Sequence, residues 1–453
     1  MTMPIPRTDT ALWRSVERQA TAVPQIYGAV DFAAMPERFT LAPSSDAPLA
    51  IQALMTDVMA DTALIEKIAA YTLIGDVVAD AYAAHIPGFG FRRVVEMLEI
   101  ACDKGLEAVP DAPPELAAFL AAMERTPAWL DKSLVEEGAR IERNHYAHLV
   151  PFAIRGAFLA TFMNTYSARP MSLTGNLSDK LAARRVHETA TFFTLTVMPG
   201  ALERNGAAFK AAAMVRLMHS MVRFNVMRGE GMWDAAVYGV PIPQVDQMPA
   251  GQIGSFLIAF QALREGRKHF TRKEQARIEI ARYRCFLLGL PEELLGETPR
   301  EIARLMLARQ ATLRVAFDDA TCGALVRGTL STELSRDPSL LGRVDSRLER
   351  SFAKAFFIRQ FLRGDTARAK EIGVPYSLLD RMLALLAAGR IFSLLHLFTW
   401  LAAIPLLRYS ADRRLIGKLD RLLKRYGRAE FTSDANAYRP ASAHGLPSAQ
   451  AAP

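Results

Sequence analysis

Between Leu149 and Met163 the sequence reads LVPFAIRGAFLATFM, apolar on almost every side of a helix except at Arg155. Such a helix must be buried, in a protein core or against lipid. At about 15 residues it is too short to cross a bilayer, so it predicts a central core helix. Its neighbours must then present apolar faces, and they do so at helical spacing. From Pro48 to Ala84 the apolar positions are Ile51, Leu54, Met55, Val58 and Met59, then Ile65, Ile68, Ala69, Leu73 and Val77. Further helices are expected over 92–104, 134–169, 252–263, 272–288, 300–314, 320–329, 351–362 and 375–388, whereas strand-type alternation is scarce. With 51% hydrophobic residues in a chain of 453, a large core can form. The reading is an all-α protein: a proline-bearing arm over 1–48, one large helical domain over 49–388 with globin-like packing of its core helices, a helical extension over 389–431 and a disordered Ala/Ser/Pro-rich tail over 432–453.

The net charge of +8 suits anionic surfaces. The basic residues are scattered through amphipathic helices and carry no aromatic-interleaved motif, so no nucleic-acid partner is expected. Cys102, Cys285 and Cys322 are odd in number and widely spaced, which excludes a disulfide framework or a zinc site. The N-terminus lacks an apolar h-region and a twin-arginine motif, so the protein is expected in the cytoplasm.

Chemistry concentrates between Ser178 and Arg228. One helix is expected over about 178–197, with Arg185, His187, Glu188 and Thr189. A Met198-Pro199-Gly200 turn follows, then a helix over about 207–227 carrying His219. Arg216, His219 and Arg223 share one face, with Val215, Val222 and Val226 close by, so the imidazole should point inward. A buried neutral imidazole between two arginines is either an axial ligand for haem iron with arginines for the propionates, or a core histidine beside arginines that snorkel to water.

The segments Thr174-Gly175-Asn176-Leu177, Arg185-Val-His-Glu188-Thr189 and Val215-Arg-Leu-Met-His219-Ser-Met-Val-Arg223 resemble a family. So do Gly75-Asp76 with Ala79-Asp80, Gly239-Val-Pro-Ile-Pro-Gln244 and Leu288-Gly289-Leu-Pro291. In order and spacing, over roughly 70–300, they are similar to the haem-dependent oxygenases that include latex-clearing protein (rubber oxygenase) and the fungal oxygenase of mycophenolic acid biosynthesis. The resemblance implies a haem b whose iron is held by His219 and functional roles for Arg185 and Thr189, while the spacing reading makes Arg216 and Arg223 the cofactor-binding residues at the propionates. The match has two departures. Where latex-clearing protein has a lysine before the threonine, this chain has Glu188. It also has no Asp or Glu between Glu142 and Asp179 for the carboxylate proposed in that protein, which leaves Glu188 as the nearest candidate base.

The expected function is a haem b-dependent oxygenase acting with O2 on an apolar, isoprenoid or otherwise unsaturated substrate. Arg185, Glu188 and Thr189 would be catalytic. The rivals are a haem-binding protein without turnover and a membrane-associated helical scaffold. Other motifs read more plainly. Asp76 and Asp80, spaced i, i+4, are expected to bind arginines or cap turns. Glu142-x-x-His145 lacks the second copy a di-iron bundle needs, so His145 and His148 are expected at a surface or interface. Residues 229–252 look like a binding loop. Ile391 to Leu407 is uncharged and Arg408 to Arg428 is basic with leucines at helical spacing. That pair reads either as an interfacial membrane contact or as a buried helix followed by a solvated one, with His396 a core or interface residue.

Overall fold

The structure, a computed structural model, describes residues 5, 7–43, 49–174, 179–229, 231–335 and 337–427. Among these residues every regular element is a helix, and the one β-bridge pairs Phe39 with Leu313. The expected tail, the Ser44-Ser45-Asp46 cluster, Gly175 to Leu177 and the Ser178 cap lie outside the described residues.

Helix starts follow local chemistry. Asp61, Asp76 and Asp131 each accept a hydrogen bond from the backbone N–H three residues on. Thr271 with Glu274, Thr298 with Glu301 and Ser377 with Asp380 form reciprocal capping boxes. Pro151 and Pro405 stand in first turns, where a missing N–H is harmless. They separate Lys132–His148 from Val150–Ala160, and Leu378–Ala403 from Pro405–Tyr426.

The largest apolar core gathers around the helix Ala207–Arg228, here called the histidine helix. Phe209, Met214, Leu217, Met221 and Phe224 pack there with Leu98, Phe119, Leu287 and Leu290. The apolar stretch that sequence made central, now Val150–Ala160, instead heads a second core of Phe158, Leu159, Phe162, Val186, Val326 and Phe357. It lies against the helix Leu340–Phe361. Gly156 permits that approach, because a Cβ there would stand 2.5 Å from the Ala353 carbonyl oxygen. Arg155 is fully buried at this crossing, held by Glu349 at 2.9 Å and by the carbonyls of Thr329 and Thr332 at 2.6 and 2.9 Å.

Several boundaries differ from expectation. The arm contains the helix Thr10–Ala22, whose Trp13 donates to Glu66 at 2.9 Å. Residues 171–174, beyond the helix expected to end at 169, close the helix Thr165–Thr174, and the irregular segment after Arg228 yields to the helix Gln244–Arg264. These helices run through Pro170 and Pro249. Burial of Tyr166 and Ala168 in one, and of Val245 and Met248 in the other, overrides the local penalty of the ring. The expected boundary at 388/389 falls inside the continuous helix Leu378–Ala403.

Candidate functional site

His219 sits in the middle of the histidine helix, on a half-buried strip with Val215 and Met218, while most of that helix is buried. Val222 and Val226, on the same side, pack with Phe91, Leu173, Met218, Trp233 and Ile242, so the surroundings of the ring are apolar. Gln247 lies beside the imidazole and favours its charged form, while its own amide donates to Gln244 at 3.0 Å. Its Nδ1 is buried with no hydrogen-bond partner. Burial, with the Arg223 charge beside it, pushes the imidazole down to about 4, so the ring is neutral at ordinary pH.

The structure gives both flanking arginines partners other than the expected propionates. Arg216 donates from Nε and Nη2 to the two oxygens of Asp76, at 2.7 and 2.8 Å, with its guanidinium over the Phe119 ring. Arg223 donates from Nε to Asp80 at 2.8 Å, from Nη1 to the Ile242 carbonyl at 3.0 Å and from Nη2 to Ser220 Oγ at 3.1 Å. Each nitrogen of Arg223 is engaged inside the protein. These arginines are struts that fix the histidine helix to Val77–Ala83, the short helix carrying Asp80 and capped by Asp76. That pairing is the one expected for the aspartates.

The remaining motif segments converge on the same network. Tyr27 donates its phenol to Asp80. Gly75 fits beneath Tyr27, and its backbone is held by Gln19 at 2.9 Å and Gln244 at 3.0 Å. Gly289 lies at φ +84°, and a Cβ there would meet Arg216 Nε and Asp76 Oδ2 at 2.7 Å. Thus the glycines of the Gly75-Asp76 and Leu288-Gly289 segments, and the Gly239–Gln244 turn, belong to one frame around His219. Tyr27, Gln19 and Gln247 have no sequence signal of their own. They enter only through contacts over 50 residues or more, or from a helix whose placement the sequence does not give.

Arg185, Glu188 and Thr189 are half-buried on the helix Asp179–Leu195, which packs against the histidine helix. They share a face with Phe192, a member of the core that surrounds the histidine helix. Glu188 accepts from Arg184 Nε at 2.9 Å, and burial raises its carboxyl above the usual range despite that partner. The next residues face elsewhere: Val186 joins the second core, and His187 Nε2 lies 3.0 Å from the Leu334 carbonyl oxygen.

Among the described residues the other histidines do not form a ligand cluster. Glu142 pairs with Arg277. His148 is 3% exposed, bonded to Asn144 at 2.9 Å and packed on Phe398 of the helix Leu378–Ala403, so of the surface and interface positions expected for it the surface one is excluded. His396 is exposed.

Among the described residues no group of three or more His, Cys, Asp and Glu could hold a metal ion. Haem iron needs only one nitrogen from the protein, which His219 could supply. The neutral ring with an unpartnered nitrogen fits that role. Arg216 and Arg223 do not fit the role of propionate partners.

The family described as "ER-bound oxygenase mpaB/B'/Rubber oxygenase, catalytic domain" matches residues 144–391. A solved structure, "Structure of Latex Clearing Protein LCP in the closed state", is similar at a TM-score of 0.54 and 18% identity, covering 77% of this chain and 91% of that one. At that identity the likeness speaks for the fold. No curated protein matches the chain.

Proposed function

With more than half of its length matched, the chain belongs to the mpaB/B'/rubber oxygenase catalytic-domain family, and on that footing we propose a haem b-dependent oxygenase acting with O2 on an apolar, unsaturated small molecule. One observation carries the haem reading: a neutral, half-buried His219 with a buried, unpartnered Nδ1 on a helix pinned at both sides. Bound haem would supply the electron transfer that activates O2. His219 would hold the iron as a neutral nitrogen donor. The Asp76–Arg216 and Asp80–Arg223 struts would keep that ring in one position.

The chain's own residues support the rest. Val215, Met218, Val222, Phe91, Leu173 and Trp233 give His219 an apolar setting, which suits an apolar substrate and excludes water. Arg185 and Thr189, one turn apart, would donate hydrogen bonds where negative charge develops on oxygen. Glu188, its carboxyl raised by burial, would hold or move a proton between solvent and the site. Isoprenoid double-bond cleavage and hydroxylation are both compatible with these roles.

The test is the absorption spectrum of the purified protein, before and after dithionite, with extraction of the pigment. A b-type Soret band, lost in His219→Ala while circular dichroism keeps its helical signal, is the expected result. A colourless protein that does not take up added haem would overturn the reading. A pigmented protein with no substrate-dependent O2 uptake across apolar alkenes would reduce it to haem carriage.

A further inference from the structure

The helix Leu378–Ala403 buries only one side. Ala384 is buried and Ala387 and Ile391 pack against Phe352 and its neighbours, while Met382, Leu385, Leu386, Phe392, Leu397 and Trp400 form an outward stripe along the whole helix. Leu385 is 73% exposed and Trp400 61%. After the break at Ile404, the helix Pro405–Tyr426 opens with Leu406, 92% exposed, and Tyr409. Its inner face is docked, with Leu415, Leu419 and Leu422 in the main core and Asp412 paired with the buried Arg143 at 2.8 Å. Its outer face is basic: Arg413, Arg414, Arg421, Lys424 and Arg425 are exposed, and none forms an ion pair among the described residues. An apolar surface of this extent on a well-packed protein marks a place of contact.

We propose that the stripe of Leu378–Ala403 and the apolar start of Pro405–Tyr426 dock on an anionic lipid bilayer, with the arginines after Leu407 at headgroup level. This inference stands apart from the oxygenase reading. The helix Leu378–Ala403 is long and apolar enough to span a membrane, yet its contacts assign it to the interface. Arg390, at mid-helix, bonds Asp345 at 2.9 Å, and Asn144 donates to the Leu395 carbonyl at 2.9 Å. Crossing the bilayer would break these contacts and carry Arg390 into hydrocarbon. Lying flat satisfies both: the inner side stays on the protein and the outer side enters the acyl boundary. An interfacial tryptophan and a following cluster of arginines complement that geometry and the negative surface.

The two competing occupants match less well. A second copy placed stripe to stripe would match the apolar residues but presents the same basic face, which does not complement the exposed arginines as an anionic surface does. Residues 428–453 offer only Phe431, Tyr438 and Leu446 as large apolar side chains, too few to cover a helix of 26 residues.

The full chain should be sedimented with phosphatidylcholine vesicles containing about one-third phosphatidylglycerol, and with phosphatidylcholine alone. We expect binding to the anionic vesicles, weaker by about tenfold or more on neutral ones and at raised salt. The variant Leu385→Glu/Trp400→Glu/Leu406→Glu alters only exposed positions and should abolish binding with its helical signal unchanged. Arg413→Gln/Arg421→Gln/Arg425→Gln should erase the preference for anionic lipid. No binding to either vesicle, or binding that survives the stripe variant, would overturn the proposal. So would a dimer in sedimentation equilibrium that the stripe variant dissociates, which would assign the face to a second copy.

Discussion

Arg223 Nε stands 2.8 Å from Asp80 Oδ1, and neither side chain reaches solvent. A buried pair of this kind contributes little beyond what a matched apolar pair would, but losing one partner strands a charge. Asp80→Asn is expected to destabilise the protein by about 3–5 kcal/mol in urea unfolding. Asp80→Leu combined with Arg223→Met should recover a large part of that loss. A single substitution that costs under about 1 kcal/mol would remove the strut role.

Gly289→Ala tests the second strut. Gly289 and Gly90 both have left-handed φ, at +84° and +80°, but only Gly289 abuts the Asp76–Arg216 pair. Gly90→Ala meets nothing within 4 Å and should show only the backbone cost, about 1 kcal/mol. Gly289→Ala should cost about 1–3 kcal/mol more, because the methyl group must displace a buried guanidinium. Equal melting temperatures for the two variants would refute this.

The low affinity of His219 for protons sets a pH dependence. Its folded value, about 4, lies below that of the unfolded chain, so below about pH 6.5 the unfolded state takes up a proton that the folded state refuses. The stability held above pH 6.5 is lost as pH falls towards 4, by at most about 1.4 kcal/mol per pH unit. His148, brought to about 4 by burial and by the charges of Lys418 and Arg390, adds to the same window. His219→Gln should make the slope between pH 6.5 and 4.5 shallower in a series of urea titrations; an unchanged slope would show that the ring titrates normally.

Arg185→Ala and Thr189→Ala should retain haem and lower turnover by about 10²-fold each, the usual effect of removing a donor at developing charge. Haem content by pigment extraction separates this from loss of the cofactor. Full activity in both variants would move the oxygen side away from this face of Asp179–Leu195.

Glu188→Gln should flatten the acid limb of the pH–rate profile. Burial raises its carboxyl, so the proton leaves above the ordinary carboxylate range and the limb lies correspondingly high. A profile identical to that of the parent protein would exclude Glu188 as the proton-handling group.

The helical class was open to reading because helix formation leaves a short-range trace: apolar spacing, Asp and Ser caps, and prolines in first turns. His219 stood out for the same reason, through its spacing with Arg216 and Arg223. The arginines' partners did not, because Asp76 and Asp80 lie 140 and 143 residues away in the chain. Each half of the pair was visible as a charge on a helix face, but only the packing of one helix on another joins them. The helices that run through Pro170 and Pro249 were not legible for the opposite reason, since local sequence says nothing of the burial that holds a helix across a proline. Placing the apolar core at Leu149 to Met163 also failed on packing, because apolarity predicts burial and not which of several cores will be the largest.

The position of Asp76 and Asp80 early in the chain has a consequence for synthesis. A ribosome delivers both carboxylates long before Arg216 and Arg223 leave the exit tunnel. Until then, closing the first helices over them would bury two uncompensated charges, so the N-terminal third has a standing reason to stay open. Arrival of the histidine helix removes that reason. The partners of both carboxylates thus arrive in the same segment as the candidate cofactor ligand.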